Sequence, residues 1–579
     1  MSIQDKFNRA NVIYKITKDI DLGGETLTIP ENCTLDFQGG GISNGMVVFN
    51  NTKLVGEVFL SLHSVQGLPS RIEASWFGIR QSNEDNSGLL NNLIKMLPSD
   101  EVYTIKFESG VYNLNSPIYM RDRINFIGES YVHGSDYWVD TPKDECVLLF
   151  NHEEYGIISD NNTTGVNTFI NITFRAGNEN AGGCNFISTV GSSSYNYNLI
   201  FDHCNFRGFA HKFGLRFSDS WRSSIDTCHF VGCGGGIGII RGSSGENNDI
   251  MIFQCTIECC CVGIYGTGLM RNINIIGGTI EGIETPDYNT TFPSEVTVPS
   301  YILDDYGVTS QDEIRSAVLI TGSMIGLIEG VYFEKIYTTD LFFSYGSVVT
   351  IKGCIFNDLI LKENPLISGF ANAVTIEGNC FYINENRNTE TYLIKQNNCR
   401  SLIFLGNDFN GKTYDKLISG TIISSIIQNA KGIISFKSVS NLSLSDSLYL
   451  GANRIGSGDY GLHFVNENKL VGAFTKDCGY TNRVHTTEPT KGSYVGMYFA
   501  DGVNWNPLKR NGNKPYLCLW NGTQWTNVEG NRIGIDRSIE GERPVLDSGQ
   551  NGYCVFDMNL NKPIWWTGSK WVDATGAEV

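Results

Sequence analysis

Three glutamates recur at one position of a repeated pattern. Glu258, Glu281 and Glu334 each follow the last apolar residue of a short strand-like segment. Side chains alternate between the two faces of a β-strand, so these glutamates point outward if the apolar residue points inward. Two carboxyl groups about 5 Å apart suit a retaining glycosidase, and about 9–10 Å lies at the edge of the inverting range. Crowding also raises the pKa of a carboxyl, as a general acid requires. The alternative is a solvated acidic stripe of splayed side chains.

The segments that carry these glutamates form a repeat. Their last residues are separated by 24, 27, 23, 53, 23, 25 and 28 positions. The step of 53 corresponds to two repeats or to one repeat with an insertion. Every segment reads in the same order, which favours parallel stacking over an antiparallel sandwich, because a sandwich needs hairpin signals. The terminal residues are Phe206, Phe230, Ile257, Ile280, Phe333, Phe356, Phe381 and Phe409.

Other positions of the repeat indicate a closed coil. The residue five places before the terminal one is always apolar and is predicted to point inward. Gly recurs three places before it, which indicates a bend with positive φ, and Cys or Asn recurs two places before it, which resembles a buried polar ladder. The pattern predicts an all-β, right-handed, single-stranded parallel β-helix with a short N-terminal capping helix and small C-terminal β modules. Its handedness follows the general rule for crossover connections.

The composition disfavours several classes of partner. The chain has 43 Lys and Arg against 61 Asp and Glu, a formal net charge of −18. Nucleic acids and anionic membranes bind basic patches, so we expect neither as a partner. The polar start lacks a signal peptide, and no run of about 18 apolar residues predicts membrane insertion. The 16 Cys lack zinc-site spacing, and we expect reduced thiols, no metal and no cofactor.

A long insertion interrupts the repeat between Ile280 and Phe333. Residues 284–312 are rich in tyrosine and aspartate, and we expect them to wall a groove beside Glu281 and Glu334. The alternative is a loop that contacts another subunit. The candidate substrate-binding residues of this region are Tyr288, Tyr301 and Asp304, and Trp138 in an earlier loop is a further candidate that either stacks on a sugar or covers the cap.

A second repeat occupies the end of the chain. Trp520 and Trp566 each begin a Trp-x-Gly-x-x-Trp motif, which predicts a hairpin with one Trp on each strand. Such tryptophans either stack on sugars or form the core or a trimer contact of a small module. The predicted domains are 1–100 (N-terminal segment and cap), 101–411 (β-helix), 412–484 (intermediate β region, with trimer contact as one interpretation), 485–530 and 531–579 (two Trp modules).

Short motifs near the start of the chain suggest a family. Trp76-Phe77-Gly78 precedes an amphipathic segment with Leu89, Leu90, Leu93, Ile94 and Leu97, and then come Phe107, Gly110, Tyr112 and Ile127-Gly128. This succession resembles the pectate-lyase-like β-helix family, especially phage tailspikes, in which the helix caps the open end of the coil stack. The resemblance covers about residues 20–411. The family's Asp-rich string is degraded to Ser82-Asn83-Glu84-Asp85-Asn86. The last residues resemble the C-terminal module of tail proteins from phages of gut Bacteroidetes.

The resemblance implies a function. It implies a homotrimeric tailspike or tail-fibre protein of the virion, made in the host cytoplasm, joined to other tail proteins, that binds a host surface polysaccharide and cleaves it. An endo-glycosidase is favoured over a lyase, with Glu281 and Glu334 as acid and base or nucleophile and Glu258 as third candidate. The alternatives are a non-enzymatic structural or adhesive appendage and a bacterial polysaccharide lyase, which the absent signal peptide disfavours.

Overall fold

The computed structural model describes most of the chain up to Asn410. The described ranges are 2–130, 144–159, 166–187, 196–242, 245–283, 289–336, 339–358, 365–383 and 392–410, followed by 414–427, 432–443 and shorter pieces up to Val579. Two compact units form: Met1–Ile433 with Val439–Ser445, and Ile434–Ser438 with Asp446–Val579. No helix among the described residues is long and apolar enough to cross a membrane.

The chain begins with a small stack of its own. After the helix Ile3–Lys6, nine strands form three three-stranded parallel sheets, so that each sheet receives one strand from each of three coils. Leu27, Leu35 and Val47 are buried inside this stack. The strands are Ile13–Ile16, Thr34–Phe37 and Lys53–Gly56; Ile20–Asp21, Ile42–Ser43 and Leu60–Ser61; and Thr26–Thr28, Met46–Val48 and Ser64–Gln66.

The predicted capping helix is present as Ser87–Met96, after the 3₁₀ turn Ala74–Phe77. Leu90, Leu93 and Ile94 are buried, whereas Leu89 is exposed. The guanidinium of Arg121 donates hydrogen bonds to the backbone oxygens of Ile94, Leu97 and Pro98, which satisfies carbonyl groups that a helix end leaves without partners. The helix is thus attached to the first coils at its C-terminal end.

A long parallel β-helix follows, as predicted, and each coil contributes one strand to each of three faces. Face A contains Arg71–Glu73, Tyr103–Phe107, Ile124–Gly128, Asn167–Ile170, Leu199–Asp202, Ser220–Asp226, Glu246–Phe253, Leu269–Ile276, Ser323–Glu329, Val348–Lys352 and Ala373–Glu377. Face B contains Gly110–Leu114, Cys146–Phe150, Thr173–Ala176, Asn205–Arg207, His229–Val231, Thr256–Glu258, Thr279–Glu281, Tyr332–Glu334, Ile355–Asp358 and Cys380–Ile383. Face C contains Ile118–Met120, Tyr155–Ser159, Gly182–Phe186, Phe213–Ser218, Gly235–Ile240, Val262–Gly266, Ser316–Ile320, Thr339–Phe343 and Ile367–Gly369.

The last described coils are wider. Strand Ile394–Leu405 pairs with both Ile367–Gly369 of face C and Ala373–Glu377 of face A. Tyr414–Ile427 pairs with it in turn, and Gly432–Ser443 follows. A two-residue strand, Asn196–Tyr197, also pairs with the start of Ser220–Asp226.

The corner between faces A and B explains the repeat. The five predicted Gly, which include Gly277 and Gly330, all have positive φ, and His203, Thr227 and Gln254 have it at the same position of earlier coils. Beside this bend, the thiol of Cys228 donates to the backbone oxygen of Phe201 at 3.5 Å. The equivalent side chains in other coils make the same bond, namely Cys204, Cys255, Cys354, Asn379 and Asn407. The predicted polar ladder is therefore present in these six coils and joins each of them to the coil before.

Stacked aromatic rings fill the core behind face B. Phe206 lies between Phe174 and Phe230, with ring centroids 4.9 and 4.5 Å apart, and all three are fully buried. Such stacks extend through Phe333, Phe356, Phe381 and Phe409. Burial of each ring removes a large apolar area from water, which stabilises the coils far more than any surface contact does.

The second unit contains sheets whose described pairings are antiparallel, except that Ser538–Ile539 pairs in parallel with Cys554–Asp557. Their described strands are Leu462–Asn466, Lys469–Phe474, Gly496–Ala500, Tyr516–Trp520, Trp525–Thr526, Ser538–Ile539, Cys554–Asp557, Lys562–Trp566 and Trp571–Asp573. Trp520 pairs with Trp525, and Trp566 pairs with Trp571, so both predicted Trp hairpins are confirmed. Trp571 packs with Leu546, Val555 and Ile564 in the core of the last sheet.

Candidate active site on face B

Face B presents two outward columns to its surroundings. Because each strand is short and its middle residue points inward, the residues on either side of that middle residue point outward. The glutamate column holds, in register, Arg207, Val231, Glu258, Glu281, Glu334, Asn357 and Tyr382. The companion column holds Asn205, His229, Thr256, Thr279, Tyr332, Ile355 and Cys380.

The three predicted glutamates lie on three adjacent coils. Glu258 pairs with Glu281 and Glu281 with Glu334, so the step of 53 is one coil with an insertion. Neighbouring strands are about 4.8 Å apart. The strands of Glu281 and Glu334 are therefore about as far apart as the two carboxyl groups of a retaining glycosidase, and those of Glu258 and Glu334 are about twice as far apart.

The middle glutamate has a perturbed acidity. Burial raises the pKa of Glu281 above its ordinary value, and the charges of Glu258 and Glu334 raise that pKa further. The charge of Lys335 acts in the opposite direction. A carboxyl that keeps its proton beside a charged carboxylate is what general acid catalysis requires.

A buried histidine lies at one end of the glutamate row. Nε2 of His229 is 2.6 Å from Oε1 of Glu258. The side chain of His229 is 4% exposed and that of Glu258 is 13% exposed, so the contact is largely shielded from water. Shielding strengthens such a hydrogen bond and holds both groups in place.

A tyrosine and an asparagine lie at the other end. The hydroxyl of Tyr332 donates to Oε2 of Glu334 at 2.5 Å, and Nδ2 of Asn357 donates to the same hydroxyl at 2.8 Å. Burial, followed by the bond to Glu334, raises the pKa of Tyr332, so the phenol remains protonated at neutral pH. These bonds fix the position of the Glu334 carboxyl group.

A buried ion pair closes the N-terminal end of the same face. Arg207 binds both carboxylate oxygens of Glu145, at 2.8 and 3.3 Å, and Asn205 donates to Glu145 at 3.2 Å. Glu145 is 1% exposed, and its burial raises its pKa although Arg207 acts in the opposite direction. Arg207 lies two coils before Glu258, in the same column of face B.

The described part of the insertion lies on face C. Ile302 and Tyr306 of its helix, Ser300–Tyr306, belong to an apolar cluster with Phe213, Tyr265 and Phe342 of face C. Glu295 of the insertion also accepts a hydrogen bond from the hydroxyl of Tyr155, over whose ring the guanidinium of Arg216 lies at 4.2 Å. These contacts attach the segment to the coils, and they do so on a different face from Glu281 and Glu334.

Two of the predicted substrate-binding residues, Tyr301 and Asp304, therefore lie on a different face from Glu281 and Glu334. Tyr301 donates or accepts a hydrogen bond with Ser344 at 2.8 Å and contacts the rings of Tyr345 and Phe370. Tyr345 is 51% exposed and Tyr301 is 36% exposed, so these residues form an exposed aromatic cluster at the end of face C. Asp304 is exposed on the same helix.

The other predicted sites lie elsewhere or outside the described residues. Trp138 and Tyr288 lie outside them. Trp520 is in the strand Tyr516–Trp520. Trp566 is half-buried, with its ring 5.6 Å from that of Trp571, beside a turn in which Thr567 and Ser569 are exposed.

Sequence reasoning missed the hydrogen-bond partners of the glutamates. His229 and Tyr332 lie two residues before Val231 and Glu334, on the same short strands. The signal was present, because residues two apart on a strand share a face. We find no arrangement of three His, Cys, Asp or Glu side chains suited to a metal ion within the described part of the chain.

Comparisons with known proteins give structural neighbours only. No family model and no curated protein matches the chain. ORF18 of Geobacillus virus E2 is 12% identical, with a TM-score of 0.43, over 88% of this chain and 85% of that one. Tailspike protein 3 of bacteriophage CBA120 is 13% identical, with a TM-score of 0.39, over 88% and 69%. DFA-IIIase from Arthrobacter chlorophenolicus A6, solved in complex with GF2, is 11% identical, with a TM-score of 0.39, over 62% and 93%.

Proposed function

We propose that this chain is a tailspike-like protein of a virion tail that binds a host surface polysaccharide and hydrolyses it on face B. The observation that carries the catalytic part is the in-register row of Glu258, Glu281 and Glu334, whose middle member has a raised pKa. A row of like charges on adjacent strands is unfavourable unless a proton, a cation or a substrate compensates for it. A glycosidic bond bound across the row would use that arrangement.

The spacing favours hydrolysis with retention. Glu281 would donate its proton to the glycosidic oxygen while a Glu334 oxygen attacks the anomeric carbon, so that the bond to the leaving sugar breaks as a glycosyl ester forms. Glu281, now ionised, would then take a proton from a water molecule that releases the sugar and restores Glu334. Tyr332 holds the Glu334 carboxyl group in place for the attack through its 2.5 Å hydrogen bond.

The adsorption part of the proposal has its own support. The resemblance of residues 20–411 to phage tailspikes now includes an observed cap, Ser87–Met96, on a stack of parallel coils. Face B runs along ten strands, and a polymer is the kind of ligand that spans such a length. We also propose that the protein is a homotrimer joined to other tail proteins.

Exposed aromatic groups supply further candidate contacts. We propose that Tyr301 and its neighbour Tyr345 bind sugar rings on face C, because their exposed rings present apolar surface with a polar tip. A non-enzymatic adhesive role is the second candidate function, and half-buried Trp566, beside an exposed polar turn, favours it.

The test is cleavage of a capsule. Purified protein is incubated with capsular polysaccharide from a susceptible host, and chain length and reducing ends are followed over time. We expect shortened chains and new reducing ends without the absorbance of unsaturated uronates, which a lyase would produce.

Variants locate the reaction. Glu281→Gln and Glu334→Gln should each lower the rate by at least about 100-fold, since general acid catalysis alone contributes that much. Glu377→Gln, an exposed glutamate on face A, is the matched control and should retain full activity. Binding without chain shortening would refute the hydrolase and leave the adhesive role. Normal cleavage by both variants would refute the assignment of the site.

A further inference from the structure

The polar partners of the glutamate row are distributed unevenly. Glu258 has His229 at 2.6 Å and Glu334 has Tyr332 at 2.5 Å. Glu281 lies between them in register, on the strand that pairs with both of theirs. The two outer carboxyls thus each have a polar partner that fixes the position of the side chain.

Proton sharing follows from that distribution. Three glutamates on strands about 4.8 Å apart do not all ionise readily, because each charge disfavours the next. Burial and the charges of both neighbours raise the pKa of the middle one, so the proton of the row resides on Glu281. One of those charges is that of Glu258, whose carboxyl group His229 contacts at 2.6 Å.

We propose that His229 is a positioning residue that determines which glutamate carries the proton, by binding the carboxyl group of Glu258 and holding it beside Glu281. This inference rests on the proposed function of face B and adds a residue that does not touch the substrate. His229 is well placed for this role, since its side chain is 4% exposed and lies on the coil adjacent to that of Glu258.

The surroundings limit the alternatives. On the preceding coil, the residue that pairs with Glu258 is the apolar Val231. The polar partner of Glu258 on that coil is His229, two residues before Val231. Arg207, one coil further, is bound to Glu145. On the following coil, Glu281 pairs with Glu334, and the charge of Lys335 lowers the pKa of Glu281. Tyr332 is bound to Glu334 on that side.

Removal of the histidine should weaken the acid. In His229→Leu, Glu258 loses the contact that holds its carboxyl group beside Glu281, and its side chain is free to turn away. The negative charge beside Glu281 then diminishes, so the pKa of Glu281 falls, and the alkaline limb of the pH profile of kcat/KM moves down by about 1 pH unit. We expect kcat to fall and KM to change little, because His229 acts on the proton and not on the bound sugar.

Two further variants separate this role from simple packing. His229→Gln keeps an N–H donor and should restore the limb towards its native position. Glu258→Gln removes the charge beside Glu281 and should itself lower the limb, and adding His229→Leu to it should then change nothing further. Equal shifts in His229→Leu and His229→Gln, or an unshifted limb in a folded His229→Leu protein, would overturn the proposal.

A second readout does not need activity. Infrared difference spectra between the native protein and Glu281→Gln should isolate the C=O stretch of the protonated Glu281 carboxyl, whose loss on raising pH reports its titration. The midpoint should be lower in His229→Leu than in the native protein. If the native protein shows this behaviour but cleaves no polysaccharide, the proposed hydrolase fails while the role of His229 stands. If the capsule is cleaved but the midpoint in His229→Leu equals that of the native protein, the proposed hydrolase stands and the role of His229 fails.

Discussion

The change from cysteine to asparagine along the corner ladder leads to a stability prediction. Asn379 is fully buried, and its Nδ2 donates to the backbone oxygen of Ile351 at 3.0 Å while its Oδ1 accepts from the backbone N–H of Cys354 at 2.9 Å. One coil earlier, Cys354 donates its thiol to the corresponding carbonyl at 3.7 Å but offers a weaker acceptor. Asparagine therefore serves two backbone groups where cysteine serves mainly one.

The magnitude follows from the groups left without partners. Asn379→Val removes the donor for Ile351 and the acceptor for Cys354, and each buried unsatisfied group costs about 1–3 kcal/mol. We expect a loss of about 2–6 kcal/mol in the free energy of unfolding. Asn379→Cys restores the donor and should lose only about 1–3 kcal/mol.

Urea denaturation measures these losses, and hydrogen exchange at the Cys354 amide gives a local readout. Thr375→Val, on the outward side of the same coil, is the control and should stay within about 0.5 kcal/mol of the native protein. If the valine and cysteine variants lose the same stability, the thiol does not substitute for the amide donor. If neither loses any, the ladder contributes no net stability and the reasoning fails.

Three further predictions concern other parts of the chain. Because the pKa of Glu281 is raised in the folded state, its contribution favours folding at low pH and is lost as pH rises through that pKa. Glu281→Gln should therefore gain stability relative to the native protein as pH rises from about 4, the ordinary pKa of a glutamate, to the raised pKa, measured by urea denaturation at each pH; an unchanged difference would contradict this. Arg207→Met leaves the buried carboxyl of Glu145 without its partner and should cost about 3–5 kcal/mol, most of which the double change with Glu145→Leu should recover in the same assay. Trp571→Ala should destabilise the last sheet of the second unit by about 3–5 kcal/mol. The near-ultraviolet circular dichroism of this sheet should then be lost at a lower urea concentration than in the native protein. An unchanged urea midpoint would show that Trp571 is not a core residue.

The repeat was predictable because its terminal aromatics and its Gly corner obey simple rules of strand geometry. Phe206 and Phe230 stack as the register requires, and Gly277 has the positive φ that its position demands. His203, Thr227 and Gln254 adopt the same φ, although no propensity rule selects them. At these three positions the geometry of the coil overrides the preference of non-glycine residues for negative φ. A pattern of residue types along the sequence does not reveal such an effect.

The site was predictable only in its acidic members. The outward direction of Glu258, Glu281 and Glu334 follows from alternation, and the register confirms that they are neighbours. Their partners required a second step, namely that His229 and Tyr332 share the outward side of face B. The position of the insertion could not be predicted from the sequence, because Ile302 and Tyr306 contact their apolar partners on face C only once the coils are stacked.

The cysteines of the coils give this protein a set of built-in probes. Burial raises the pKa of the Cys354 thiol to about 11 and holds that of Cys228 well above its usual value, so both are thiols out of reach of an alkylating reagent in the folded state. A thiol reacts only as thiolate and only when exposed. Since these cysteines lie on different coils, the order in which a reagent modifies them would record the order in which the stack opens, coil by coil, without any introduced label.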